Sequence, residues 1–84
     1  METTITTEFN NSDRFTEIGY AIAYYRKKRG LSQEELGERV GISRQHIGGI
    51  EASNMDRRPS LDLLFNIATV LSIEPFLLLK FPHE

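Results

Sequence analysis

Ser43-Arg44-Gln45-His46 sets a hydroxyl, a guanidinium, a carboxamide and an imidazole in consecutive positions, with Gly48 and Gly49 close behind. Arginine can donate two parallel hydrogen bonds to a guanine edge, and glutamine can pair with adenine. Arg44 and Gln45 therefore have the chemistry to read bases, Gln45 alternatively to hold a flanking phosphate. His46 faces a phosphate or a base, or is simply a packed or solvated residue. Catalytic chemistry has no comparable support. No nucleophile, base and orienting group occur together, and no glycine-rich phosphate loop follows a strand. Two histidines and no cysteine leave no metal-ligand set and no disulfide. No enzyme, metal or cofactor is expected.

Charge points the same way once it is resolved along the chain. The 84 residues carry a net charge of −2, which by itself argues against a polyanionic partner. The charge is segregated, however. Residues 1–25 hold four acids against Arg14, whereas residues 26–58 hold eight arginines or lysines against five acids. Screening limits each charge to a range of about 8–10 Å, so a local basic region matters more to a polyanion than the total. A solvated basic face would look the same by charge alone.

These groups need elements to position them. Residues 1–12 are polar and aperiodic and read as a flexible arm. Phe15, Ile18, Ile22 and Tyr25 then recur at helical spacing up to Arg26-Lys27-Lys28-Arg29-Gly30, a cationic last turn closed by glycine. Helix one thus runs from Ser12 or Asp13 to Arg29. Ser32 followed by Glu35 has the form of a capping box, and Gly41 ends a second helix of about eight residues. Ser43 caps a third helix to about Ala52, with Ile47 and Ile50 turned inward. SNMDRRPS is a loop. Ser60 opens a fourth helix with Leu61, Leu64, Ile67, Ala68 and Leu71 as apolar positions, and a short fifth starts near Pro75. No alternating strand pattern occurs. The fold class is all-α, a compact bundle of four to five short helices.

Helices two and three are joined by a turn too short for antiparallel packing, so they must cross steeply. Gly37 at the crossing, Gly41 in the turn, and Leu36, Val40, Ile42, Ile47 and Ile50 around the corner supply what such a crossing requires. Residues 32–52 form a helix-turn-helix unit, whose second helix is the one that enters a major groove.

LSQEELGERVGISRQHIGGIE, followed by RRPSLDLLFNIATVL, resembles the phage-repressor (Cro-like) helix-turn-helix family, also called the xenobiotic-response-element family. The likeness extends over about residues 18–80. It implies a lambda-repressor-like DNA-binding domain, here residues 13–82, acting on double-stranded DNA in transcription regulation. It also implies that Arg26 and Glu51 form a partly buried ion pair locking helix one to helix three. Gln33 is either an ordinary first-turn polar residue or, as the resemblance implies, a ligand of a DNA phosphate. Asn54, Arg57 and Arg58 lie in the loop that the family uses to follow the backbone, and so look like phosphate clamps. Two departures stand out. The crossing residue is commonly alanine in the family, and Gly37 replaces it without changing the packing logic. Gly48 and Gly49 stand where many relatives carry larger polar residues.

Each interior glycine lowers helix stability by about 1 kcal/mol relative to alanine, so the pair needs a reason. The outward set of helix three is Ser43, Arg44, Gln45, His46, Gly48 and Gly49. In one account the glycines let the helix sit close to the groove floor. In the other, one glycine faces a neighbouring helix and its partner is tolerated.

Helix four carries more apolar residues than one stripe needs, adding Leu63, Phe65 and Val70. Ile73, Phe76, Leu77, Leu78, Leu79 and Phe81 follow within nine residues. A core this small leaves some exposed, and such a patch marks an interface. A homodimer through helices four and five, on a palindromic site, is the economical solution. The sequence therefore predicts a regulator, a repressor or autoregulator rather than an activator. An antitoxin that gives the same apolar face to a toxin is the alternative. A cytoplasmic location, no membrane segment and no small-molecule effector complete the expectation.

Overall fold

Ser32, Ser43 and Ser60 each accept a hydrogen bond from the backbone N–H three residues on, from Glu35 at 3.0 Å, His46 at 3.0 Å and Leu63 at 3.1 Å. Each satisfies a donor that an α-helix leaves unpaired at its start. The computed structural model describes residues 9–54 and 57–80. Those residues form α1 (Ser12–Lys28), α2 (Gln33–Val40), α3 (Arg44–Glu51), α4 (Leu61–Leu71) and a 3₁₀ turn, Pro75–Leu78. The described residues contain no strand, and the all-α expectation holds. Of the expected arm, residues 1–8 lie outside the described residues, and Ser12 already belongs to α1. Met55, Asp56 and residues 81–84, Phe81 among them, also lie outside.

The capping box at α2 closes in both directions, since Glu35 Oε1 accepts from the Ser32 N–H at 2.8 Å. Gly41 ends the helix at φ 81°, a left-handed conformation that glycine adopts without strain. At the far end of the domain, Arg29 donates through Nε to the Leu71 carbonyl at 2.6 Å and through Nη2 to the Ser72 carbonyl at 3.1 Å. A cation thus closes the C-terminus of α4, where the helix dipole is negative.

The core lies where all these elements meet. Ile18, Ala21 and Ile22 of α1 pack with Leu36 of α2, Ile47 and Ile50 of α3, Leu64, Ile67, Ala68 and Leu71 of α4, and Leu78. Phe15, Tyr25, Val40, Ile42, Leu63, Val70 and Ile73 rest against this cluster, partly buried. Leu61 departs from the expected core. It is 64% exposed and shares an outer stripe with Phe65, four residues on and 50% exposed.

Two close approaches give the steep packing its geometry. A Cβ on Gly37 would lie 2.6 Å from the Ile42 carbonyl oxygen. The alanine common at this crossing would therefore not fit here without a shift of the turn, so Gly37 does change the packing, contrary to the expectation. A Cβ on Gly19 would lie 2.7 Å from the carbonyl oxygens of both Ile50 and Glu51. The backbone of α1 rests directly on the last turn of α3, an approach that no periodicity announced.

Two outcomes follow from this packing. Gly19→Ala overpacks the α1–α3 junction and should lower stability by about 1–3 kcal/mol, read as a reduced denaturant midpoint. The second concerns Glu35. Hydrogen bonds from the Ser32 backbone and then its hydroxyl hold the Glu35 carboxyl below the ordinary carboxylate value. A depressed folded-state value stabilises the fold above the ordinary carboxylate range, and that contribution is lost as pH falls through the folded value. Glu35→Gln should therefore flatten the acid limb of a stability–pH profile.

Candidate nucleic-acid interface

A buried ion pair fixes the platform. Arg26 donates from Nε to Glu51 Oε2 at 2.6 Å and from Nη2 to Glu51 Oε1 at 2.9 Å, with side chains only 9% and 8% exposed. Its Nη1 bonds the Leu31 carbonyl at 2.8 Å, so the guanidinium also holds the link between α1 and α2. The Glu51 hydrogen bonds raise the Arg26 pKa despite burial, and the guanidinium remains charged. The ion pair implied by the resemblance is therefore present, in the bidentate form that arginine's planar fork favours.

Gln33 joins the same cluster. Its Nε2 donates to Glu51 Oε1 at 3.0 Å, the oxygen that Arg26 Nη2 also uses. It is thus neither a free first-turn residue nor an unconstrained phosphate ligand. One amide N–H is spent on Glu51, and the second can still donate outward. A Cβ on Gly48 would sit 3.5 Å from Gln33 Oε1, an ordinary contact, so Gly48 forms the floor beneath this amide.

The first turn of α3 presents Ser43, Arg44 and Gln45 as exposed residues. Ser43 Oγ is engaged as the helix cap, which leaves Arg44 and Gln45 as the outward reach of that turn. His46 is half-buried, as are Gly48 and Gly49, so the outward face is narrower than six residues. Gly49 is covered rather than open. A Cβ there would lie 2.5 Å from Arg57 Cγ and 3.0 Å from Arg57 Cβ. Gly48 faces Gln33 of the neighbouring α2, as the second account has it, but Gly49 is covered by the Arg57 stem, which neither account anticipated.

The loop arginines part company. Arg57 lies along α3, whereas Arg58 turns back to α1, its guanidinium 4.3 Å from the centre of the Phe15 ring and its Nη2 3.3 Å from Ser12 Oγ. Stacking holds Arg58 in place and competes with the phosphate role expected of it. The Asn54 N–H donates to the Gly49 carbonyl at 2.8 Å, tying the start of the loop to α3. Lys28 lies over the Tyr24 ring, away from these groups.

One surface thus gathers Gln33, Arg44, Gln45 and Arg57 around α3, with Arg26 and Glu51 beneath. Sequence reasoning missed Gly19, Phe15 and the Leu31 carbonyl. The only available signal for Gly19 was a glycine inside an otherwise periodic helix. Phe15 carried none, because its partner Arg58 is 43 residues away, and the Leu31 carbonyl carried none, because a backbone acceptor has no residue type to mark it. Among the described residues, no helix is long and apolar enough to cross a membrane.

Comparison with known proteins agrees with this geometry. A family model described as helix-turn-helix matches residues 22–78. The HTH-type transcriptional regulator SinR of Bacillus subtilis is 36% identical over 67 residues, which is 80% of this chain and 60% of that protein. The chain therefore spans less than two thirds of that relative. The restriction-modification controller protein C.AhdI from Aeromonas hydrophila superposes with a TM-score of 0.75 at 33% identity, covering 83% of this chain and 99% of that one. SinR, the master regulator for biofilm formation, solved in complex with DNA, gives 0.67 at 35% identity, over 75% and 98% of the two chains.

Removing one member of the buried pair isolates its role. Glu51→Ala should destabilise the fold by about 3–5 kcal/mol by stranding the Arg26 charge, while the apolar double change Arg26→Met with Glu51→Leu should recover most of that loss. Denaturant titration of the three proteins checks it.

Proposed function

The chain belongs to the phage-repressor (Cro-like) helix-turn-helix family, and from that premise we propose that it is a sequence-specific, DNA-binding transcriptional regulator. In this reading it acts in the cytoplasm as a repressor or autoregulator on a palindromic operator. The observation that carries the proposal is the pairing of exposed Arg44 and Gln45 on the first turn of a helix whose other side is locked to α1 and α2. Rigid presentation matters, because a base-reading side chain gains specificity only when the helix behind it cannot yield. The likeness to SinR, solved with DNA, supports the same reading.

Arg44 takes the guanine role and Gln45 an adenine or a flanking phosphate, since these are the bidentate pairings their groups can make. Gln33, held by Glu51, and Arg57, laid on α3, serve as backbone ligands flanking the groove. Asn54 continues that line along the loop, and His46 is a minor contributor from its half-buried position. Arg58 contributes only after leaving Phe15.

The assembly is a twofold homodimer through α4 and the 3₁₀ turn. Leu61, Phe65, Phe76 and Leu79 are 64%, 50%, 54% and 55% exposed there, an apolar set that a dissolved monomer would leave wet. Such a dimer places two α3 helices about 34 Å apart, one turn of DNA.

Selection of bound duplexes from a random pool by the purified protein tests the proposal. The expected product is an inverted repeat whose half-site centres are one turn apart. Arg44→Ala should then lose about 1–3 kcal/mol per half-site and relax the preference at one base. Phe65→Lys should yield a folded monomer by analytical ultracentrifugation that binds the same repeat more weakly. Recovery of unrelated sequences, or none, would overturn the assignment.

A further inference from the structure

Gly48 and Gly49 are adjacent in one helix yet stand in opposite steric situations. At Gly48 a methyl would meet the Gln33 amide at 3.5 Å, an ordinary contact, and alanine fits. At Gly49 the same methyl would enter the aliphatic stem of Arg57, 2.5 Å from Cγ, 3.0 Å from Cβ and 3.5 Å from Cδ. Two consecutive carbons of one side chain, Cβ and Cγ, occupy the space that any other residue at position 49 would need.

The backbone of Gly49 holds the same loop. Its carbonyl accepts the Asn54 N–H at 2.8 Å, and the Asn54 carbonyl in turn accepts the Arg57 N–H at 2.9 Å. Arg57 is therefore tied to Gly49 by a two-step chain of backbone hydrogen bonds and by packing along its stem. Its neighbour supplies the contrast, because Arg58 braces the loop on Phe15 and Ser12 of α1. Among the described residues, nothing accepts a hydrogen bond from the Arg57 guanidinium or pairs with its charge. One loop arginine is a strut, and the other has a seated stem and a charged head without a partner.

We propose that Gly49 is a positioning residue for Arg57: the missing side chain makes a seat on α3 that aims the Arg57 guanidinium at a DNA phosphate flanking the groove. This rests on the DNA-binding reading above. The flanking phosphate follows from position. Gly49 lies five residues beyond Arg44, which is about 7.5 Å along the helix axis, and base readout belongs to the first turn of such a helix. An arginine rooted that far along reaches the strand at the groove's edge. Position 49 on α3 thus does not touch DNA itself. It determines where a charge eight residues further along the chain is delivered.

A double-mutant cycle tests the seat, using wild type, Gly49→Ala, Arg57→Ala and the two combined. Affinity for the selected operator is measured across a salt series, with thermal melting of the same samples. Arg57→Ala should weaken binding roughly tenfold at low salt, as expected for one charge-assisted hydrogen bond. It should also make the slope of log K against log salt shallower by about 0.9 for each phosphate that is no longer neutralised. Gly49→Ala should reproduce both changes although it removes no charge, a slope change that a purely structural defect would not give. The double variant should bind no more weakly than Arg57→Ala and melt no lower, because the stem that blocked the methyl is gone. Should Gly49→Ala fail to fold, refolding on adding Arg57→Ala supports the seat, and failure to refold overturns it. Wild-type affinity and slope in Gly49→Ala, or losses that multiply in the double variant, also overturn it. Failure of the wild-type protein to bind any duplex would instead strike the DNA-binding reading and take this inference with it.

Discussion

Arg26 and Glu51 form the joint on which the rest of the domain is hung. Two nearly parallel hydrogen bonds connect α1 to the end of α3, and the remaining guanidinium nitrogen reaches the Leu31 carbonyl at the start of the next segment. Both side chains are almost wholly removed from solvent, so neither charge can be left alone. Such a pair adds little net stability compared with apolar packing, but it is intolerant of displacement. That directional strictness suits a helix whose orientation must be held: α3 has only eight residues, too few to be stable by itself.

Around this joint, glycine is used as geometry rather than as flexibility. Gly19 lets α1 rest on the carbonyls of Ile50 and Glu51, and Gly37 lets α2 fold against the turn at Ile42. Both approaches are backbone against backbone, where a single methyl is too much. Gly49 extends the same device to a side chain, admitting the Arg57 stem. In a domain of 84 residues with no disulfide, direct backbone packing brings short helices together with little side-chain volume between them.

The two faces of the molecule then divide their chemistry. Exposed Arg44 and Gln45, with Gln33 and Arg57 beside them, gather hydrogen-bond donors around α3. Leu61 and Phe65 on α4, with Phe76 and Leu79 further along the chain, are exposed apolar side chains. A net charge of −2 conceals this arrangement, since residues 1–25 are net acidic and residues 26–58 net basic.

Local chemistry made much of this legible from the residues alone. Ser32 with Glu35, Ser43 and Ser60 announced three helix starts, because a cap bonds a group only three residues away. Gly41 announced a stop for an equally local reason, its positive φ. Apolar spacing at 3–4 residues placed most of the core, failing at Leu61, where the helix face runs past the edge of the packing. Only the tertiary structure decided what each glycine faces, that Gln33 shares Glu51 with Arg26, and that Arg57 and Arg58 go opposite ways. These are meetings between residues 5 to 46 positions apart in the chain, and no period or cap encodes them. Where a helix begins is a property of a few neighbouring residues; what stands over it is a property of the whole packing.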